Sequence, residues 1–107
     1  MDERQIQRLR LKAEVFKAMG HPLRLGVIEF LHQGERCVCE IVEHVGTGMP
    51  NVSKHLAILK KAGIVTDRRD GLKMMYRLSM PCSVDFNTCV EAVVLGKLEE
   101  QRSVMAR

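Results

Sequence analysis

Apolar positions recur with helical spacing along most of the chain. Between Glu3 and Met19, Ile6, Leu9, Ala13 and Phe16 follow one another at spacings of three, four and three, the stripe of an amphipathic helix. Gly20-His21-Pro22 breaks that pattern, and Pro22 suits the first turn of a second helix running through Leu25, Ile28, Glu29 and Leu31 to Gly34. A third helix is predicted over roughly Val38 to Val45, with Ile41, Val42 and Val45 at helical spacing, before Gly46-Thr47-Gly48 interrupts it. Pro50 is an early residue of a fourth, whose core stripe is Val52, Leu56 and Leu59 with Ile58 nearby and which ends at Gly63. Asn51, Ser53, Lys54 and His55 are left to face outward or along its edges.

The period then changes. Ile64 to Asp67 and Met74 to Leu78 alternate as strands do, and Asp70-Gly71 between them signals a hairpin whose whole connection exceeds two residues. After Pro81 a last helix is expected over roughly Val84 to Arg102, with Phe86, Val90, Val93 and Val94 on an apolar face interrupted at Gly96. Two short helices joined by a glycine-containing turn and followed at once by a basic hairpin are the parts of a winged helix-turn-helix. The predicted fold is therefore mainly α with a β-hairpin wing, in the order ααααββα, as one domain over residues 1–107 with no internal repeat. A chain of this length has a modest core, so sharing apolar surface with a second copy in a homodimer is expected.

Charge narrows the partner. Seventeen Lys and Arg against thirteen Asp and Glu give a formal charge of +4 and an isoelectric point near 9.1, which favours a polyanion but alone leaves ribosomal, membrane-surface and structural roles open. Met1 to Lys12 lacks the apolar core of a signal peptide, and no stretch approaches the ~18 apolar residues that span a bilayer. A cytoplasmic protein with no membrane partner is the expectation. The element order selects double-stranded DNA among the polyanions. The second helix of a helix-turn-helix enters the major groove, which makes Asn51, Ser53, Lys54 and His55 candidates for base and phosphate contacts. On the hairpin, Arg68, Arg69, Lys73 and Arg77 are candidates for phosphates or a minor-groove contact, against the alternative of a merely solvated turn.

The segments KAMGHPLRLGVIEFL, ERCVCEI, MPNVSKHLAILKKAGIV and RRDGLKMMYRL, in that order over about Lys17 to Leu78, resemble the ArsR/SmtB family of metalloid- and metal-responsive repressors. The resemblance implies a dimer joined by the first and last helices, with a recognition helix from each subunit on a palindromic operator. A Ser-Gln pair often opens that helix in the family, whereas Gly48-Met49 stands here, so glutamine readout is absent. In the family a Cys-Val-Cys segment at the start of the third helix holds arsenite or antimonite, and it stands here as Cys37-Val38-Cys39. The third cysteine of the arsenic-sensing pattern, three residues further on, is replaced by Val42.

The four cysteines, Cys37, Cys39, Cys82 and Cys89, fit metal, metalloid or redox chemistry better than a disulfide framework in a reducing cytoplasm. Trivalent arsenic wants about three soft thiolates, and cadmium, lead, mercury and copper(I) suit thiolates too. Side chains two apart on a regular helix point about 200° away from each other, so joint chelation by Cys37 and Cys39 requires an irregular helix start. Cys82 and Cys89 are candidate further ligands or buried structural thiols; were both helical they would lie ~10 Å apart. His21, His32, His44 and His55 show no paired ligand spacing on the last helix, and Met49, Met74, Met75 and Met80 read as packing residues.

The function expected is a repressor, not an enzyme, released from its operator when the cysteines bind arsenite, antimonite or another thiophilic ion such as cadmium, lead or mercury. The alternative on the same fold is a thiol-redox or reactive-sulfur sensor. An enzyme is disfavoured by the absence of Cys-x-x-Cys and His-Glu-x-x-His motifs. A protein-interaction module without DNA binding is disfavoured by the basic wing and by Asn51-Val52-Ser53-Lys54-His55.

Overall fold

Helix termini in the computed structural model are set by local chemistry that the sequence spells out. The model describes residues 1–80 and 84–105, the last segment in side-chain detail from residue 88. Helix α1 (Glu3–Met19) opens on a reciprocal capping box: Gln5 N–H donates to Asp2 and Asp2 N–H to the Gln5 side chain. Helix α2 (Pro22–His32) follows after Gly20, with Pro22 in its first turn and the His21 ring nitrogen Nδ1 accepting from Leu23 N–H at 3.1 Å. Strand β1 (Arg36–Cys37) leads directly into α3 (Val38–Val45), which ends on Gly46 in the left-handed region at φ 71°. Helix α4 (Met49–Lys61), strands β2 (Val65–Asp70) and β3 (Lys73–Leu78), and helix α5 (Val84–Met105) complete the described chain.

The sheet is antiparallel in the order β1-β3-β2. Two features differ from the sequence expectation. Strand β1, two residues long, pairs Arg36 with Tyr76 and Cys37 with Met75, so the wing has three strands. The β2–β3 connection is two residues, Gly71-Leu72, because pairing continues to Asp70 opposite Lys73. Gly71 takes φ 63° and Leu72 does not share the positive sign, the pattern of a II′ hairpin turn, whose twist matches that of the strands.

The core lies where α2, α3, α4 and β2 meet. Val27, Ile28 and Leu31 of α2, Ile41 of α3, Val52, Leu56 and Leu59 of α4, and Ile64 and Val65 are buried together, with Ala18 of α1 joining them. Truncating Leu56 or Leu59 to alanine in such a site costs about 2–5 kcal/mol. This packing fixes α4 against α2 and α3.

The two end helices are treated differently. The stripe expected on α1 is not the face that packs inward: Leu9 and Phe16 remain 46% and 53% exposed, while Val15, Ala18 and Met19 meet the core. Along α5, Val90, Val93 and Val94 are 43%, 59% and 47% exposed, and Leu95 and Leu98 are exposed as well. The Cα radius of gyration is 16.7 Å, against about 13 Å for a compact chain of this size. Much apolar helix surface therefore stays in solvent in a single copy.

Candidate nucleic-acid interface and thiol site

Helix α3, the Gly46-Thr47-Gly48 turn and α4 form the helix-turn-helix, and its geometry follows from the turn. Gly46 N–H closes α3 on the Val42 carbonyl at 3.1 Å, and Gly48 precedes α4 in extended conformation. Gly48 has no side chain with which to cap α4, so the first turn of α4 keeps backbone N–H groups without a side-chain partner, as suits a phosphate contact. Asn51, Ser53 and Lys54 are all exposed on this segment. Asn51 Nδ2 donates to Thr47 Oγ1 at 3.2 Å, which ties the side chain back to the turn.

His55 departs from the expectation that it faces outward or along an edge of α4. It is 7% exposed and lies on the buried side of α4 with Val52, Leu56 and Leu59. Its Nδ1 meets Arg24 Nη1 at 3.1 Å, and its ring lies 4.5 Å from that of His21. Because a guanidinium only donates, Nδ1 accepts, which corresponds to a neutral imidazole protonated on Nε2. Burial, then the His21, Arg24 and Lys54 charges, hold its pKa below the ordinary value near 6.5. Arg24 also donates through Nε to the Ala18 carbonyl at 2.5 Å and through Nη2 to the Lys17 carbonyl at 3.4 Å. One α2 side chain thus fastens the end of α1 to α4; Arg24 carries no motif that flags this role in sequence.

The wing cations are not equivalent. Cross-strand register places Arg68, Asp70, Lys73, Met75 and Arg77 on one face and Arg69 on the other, with Val65, Tyr76 and Leu78. Arg68 is held in a two-pronged pair by Glu35, with Nε to Oε2 at 3.0 Å, and lies 4.0 Å from Asp70. The Arg68 hydrogen bond lowers the Glu35 pKa, and the same bond raises that of Arg68. Arg69 and Lys73 are exposed and enter no ion pair among the described residues. The sequence carries no signal for the Glu35 contact, since nothing local links it to a residue 33 positions away.

The thiols resolve the spacing problem of Cys37 and Cys39. Cys37 is not helical: as the N-cap of α3 it has φ −75° and ψ 156°, and its sulfur accepts from Glu40 N–H at 3.3 Å while Glu40 Oε1 accepts from Cys37 N–H at 3.1 Å. This is a capping box with sulfur in place of the usual hydroxyl. The extended residue turns its sulfur toward that of Cys39, and the two are joined as a disulfide with Cα atoms 5.3 Å apart. Cys37 is 2% exposed, whereas Cys39 is exposed. Cys89 is a free, exposed thiol on α5, and Cys82 lies outside the described residues. Among the described residues no group of three or more His, Cys, Asp or Glu is placed to hold a metal ion.

Residues 21–67 match the family model described as bacterial regulatory protein, arsR family. An uncharacterised helix-turn-helix transcriptional regulator of Mycobacterium tuberculosis is 34% identical over 97 residues, covering 90% of this chain and 85% of that protein. The chain belongs to the ArsR family. Its ArsR-family match spans α2 to the start of the wing, and so includes Cys37, Cys39 and the exposed residues of α4. The solution structure of the homodimeric winged helix-turn-helix DNA-binding domain of a possible ArsR-family regulator from Mycobacterium bovis superposes with a TM-score of 0.78 at 31% identity, covering 94% of this chain and 93% of that one. A probable mercury resistance operon repressor of Streptomyces lividans is 42% identical over 73 residues, 68% of this chain and 58% of that protein. The arsenical resistance operon repressor of Escherichia coli is 37% identical over 70 residues, 64% and 60% respectively. The fold is thus the ArsR-type winged helix-turn-helix of DNA-binding transcriptional regulators, with a mainly helical body and a three-stranded wing.

Proposed function

We propose that this ArsR-family chain is a cytoplasmic, homodimeric repressor held on double-stranded operator DNA by α4 and the wing, and released when a thiophilic effector, arsenite or antimonite first, engages Cys37 and Cys39. The observation that carries the reading is the convergence of these two sulfurs at the start of α3, the helix that packs beneath α4. The names of the mercury and arsenical relatives support a soft effector. The pair fits such an ion once reduced, since two convergent thiolates are two of the roughly three soft donors that trivalent arsenic takes. Cys82, or Cys89 from α5, is proposed as the third. Asn51, Ser53, Lys54, Arg69 and Lys73 supply the DNA contacts, with Arg68 joining when it leaves Glu35. The exposed stripes of α1 and α5 are proposed to close on a second copy, giving one protomer's α4 to each half of a palindromic site.

An operator mobility shift in reductant, with and without arsenite, tests the reading on wild type and the Cys37→Ser, Cys39→Ser and Cys82→Ser variants. Arsenite should release wild type and leave the first two variants bound, and loss of release in Cys82→Ser identifies the third donor. A complex unmoved by arsenite rejects this effector. The bonded Cys37–Cys39 pair favours a second reading, in which oxidation of the dithiol itself changes operator affinity. Release by an oxidant without metalloid, reversed by reductant, is its signature.

A further inference from the structure

The two joined sulfurs sit in unlike surroundings. Cys37 is 2% exposed and its sulfur receives the Glu40 N–H at 3.3 Å at the N-terminus of α3, where backbone dipoles favour negative charge. Cys39 is exposed within the first turn of the helix. The Glu40 carboxylate, 3.1 Å from Cys37 N–H, opposes a thiolate nearby. Arg36 Nη1 stands 3.4 Å from Glu40 Oε2, with its guanidinium 4.5 Å above the Phe30 ring, and offsets that charge.

We infer that the Cys37–Cys39 pair is a directional thiol switch, in which Cys39 is the sulfur that exchanges with low-molecular-weight thiols and disulfides and Cys37 is the sulfur that leaves and returns. The inference deepens the redox reading above and rests on it. Exchange depends on which sulfur is attacked and how well the other leaves. An incoming thiolate approaches opposite the leaving sulfur, and of the two residues it is Cys39 that is exposed to solvent while Cys37 is buried. In reduction, the external thiolate bonds to Cys39 Sγ, the Cys37–Cys39 bond breaks, and its electron pair departs on Cys37 Sγ as a thiolate held by Glu40 N–H. A second external thiolate then attacks the external sulfur of the mixed disulfide, freeing Cys39, which takes a proton from water, and yielding the external disulfide. Oxidation runs in reverse: the Cys39 thiolate attacks a small disulfide and expels one thiolate, then the Cys37 thiolate attacks Cys39 Sγ and expels the other.

The test uses the full chain carrying Cys82→Ser and Cys89→Ser, reduced and then challenged with glutathione disulfide, with intact mass read over time. The parent should lose two hydrogens without accumulating a glutathione adduct. Cys37→Ser should stop at a stable adduct on Cys39, and Cys39→Ser should react at least about tenfold more slowly. Serine retains an oxygen able to cap α3, and helicity by circular dichroism checks each fold. Independently of the variants, the disulfide-bonded parent treated briefly with glutathione, acid-quenched and peptide-mapped, should carry the trapped adduct on Cys39. An adduct on Cys37, equal rates in the two serine variants, or a parent that never closes its disulfide would overturn the inference. Operator affinity of the reduced and closed forms is measured alongside: equal affinities reject redox control of DNA binding while leaving the order of exchange to be judged by the adducts.

Discussion

His55→Leu separates a clamp from a DNA reader. In the wild type at pH 7.5, His55 is neutral in the folded and unfolded chain. The substitution there removes the Arg24 Nη1 to Nδ1 bond, about 1.5 kcal/mol for a charge-assisted contact. Leucine continues the buried stripe of Val52, Leu56 and Leu59 and returns about 1–1.5 kcal/mol through apolar burial. The net change at pH 7.5 should stay within about 1 kcal/mol. Acid exposes the difference. The folded-state pKa is depressed, so the unfolded chain binds the proton first; stability is fully present above the unfolded value near 6.5 and is lost as pH falls through the lower folded value. At pH 5.5, one unit below, this loss is at most about 1.4 kcal/mol, and His55→Leu should lack it. Urea unfolding followed by circular dichroism at one fixed protein concentration, at both pH values, measures the four stabilities, and operator affinity at pH 7.5 should change less than about threefold. Identical acid sensitivity in the two proteins, or a tenfold loss of operator affinity without loss of stability, would refute the placement of His55 as a buried clamp.

Five further substitutions probe the surfaces. Lys54→Ala, Arg69→Ala and Lys73→Ala should each weaken operator and non-cognate DNA alike and reduce the salt slope by about one; an unchanged slope in fluorescence anisotropy titrations removes that residue from the phosphate contacts. Glu35→Gln releases Arg68 and deletes a negative charge beside the wing, so binding should tighten a few-fold at low salt and the gain should shrink at high salt; weaker binding would show that the pair is needed as it stands. Val94→Glu places a charge on the exposed α5 stripe and should turn a dimer into a monomer by analytical ultracentrifugation without loss of core stability, whereas an unaltered dimer moves the interface elsewhere.

Helices were legible because their apolar stripes are long. The α2, α3 and α4 stripes each end on glycine or run into proline, and the structure begins and ends those helices within a residue or two of the expectation. Strand β1 was not legible, since two residues have no period, and its existence depends on pairing with Tyr76 and Met75 far along the chain. The wing is longer than its sequence suggests because Arg68, Arg69 and Asp70 lie beyond the core, where polar residues on both faces erase alternation while the ladder continues. His55 was in principle readable: it stands three residues after Val52 and four before Leu59, on their stripe, and only its polarity argued for the outside. The Glu40 signal was likewise present, three residues after Cys37 in capping-box spacing, with cysteine disguising the cap. The Arg24 and Glu35 contacts are tertiary and had no local trace.

Cys37 belongs to two elements at once, which gives thiol chemistry a short route to both surfaces proposed to contact DNA. Its backbone pairs with Met75 of β3, in the strand that carries Lys73 and Arg77. Its sulfur caps α3, whose Ile41 packs in the same core as Val52 and Leu56 of α4. Loss of a cap costs about 1 kcal/mol, and coupling of 1–3 kcal/mol between sites already changes affinity by roughly 5–150-fold. A change of bonding at the Cys37 sulfur therefore needs no large rearrangement to matter. It has only to weaken the Glu40 N–H contact or shift the β1–β3 register to disturb the elements that tie the wing and α4 to α3. The same placement suits a buried cysteine to the proposed role: Cys37 is 2% exposed, so a change at its sulfur falls on the part-buried cap of α3 and on the core beside it.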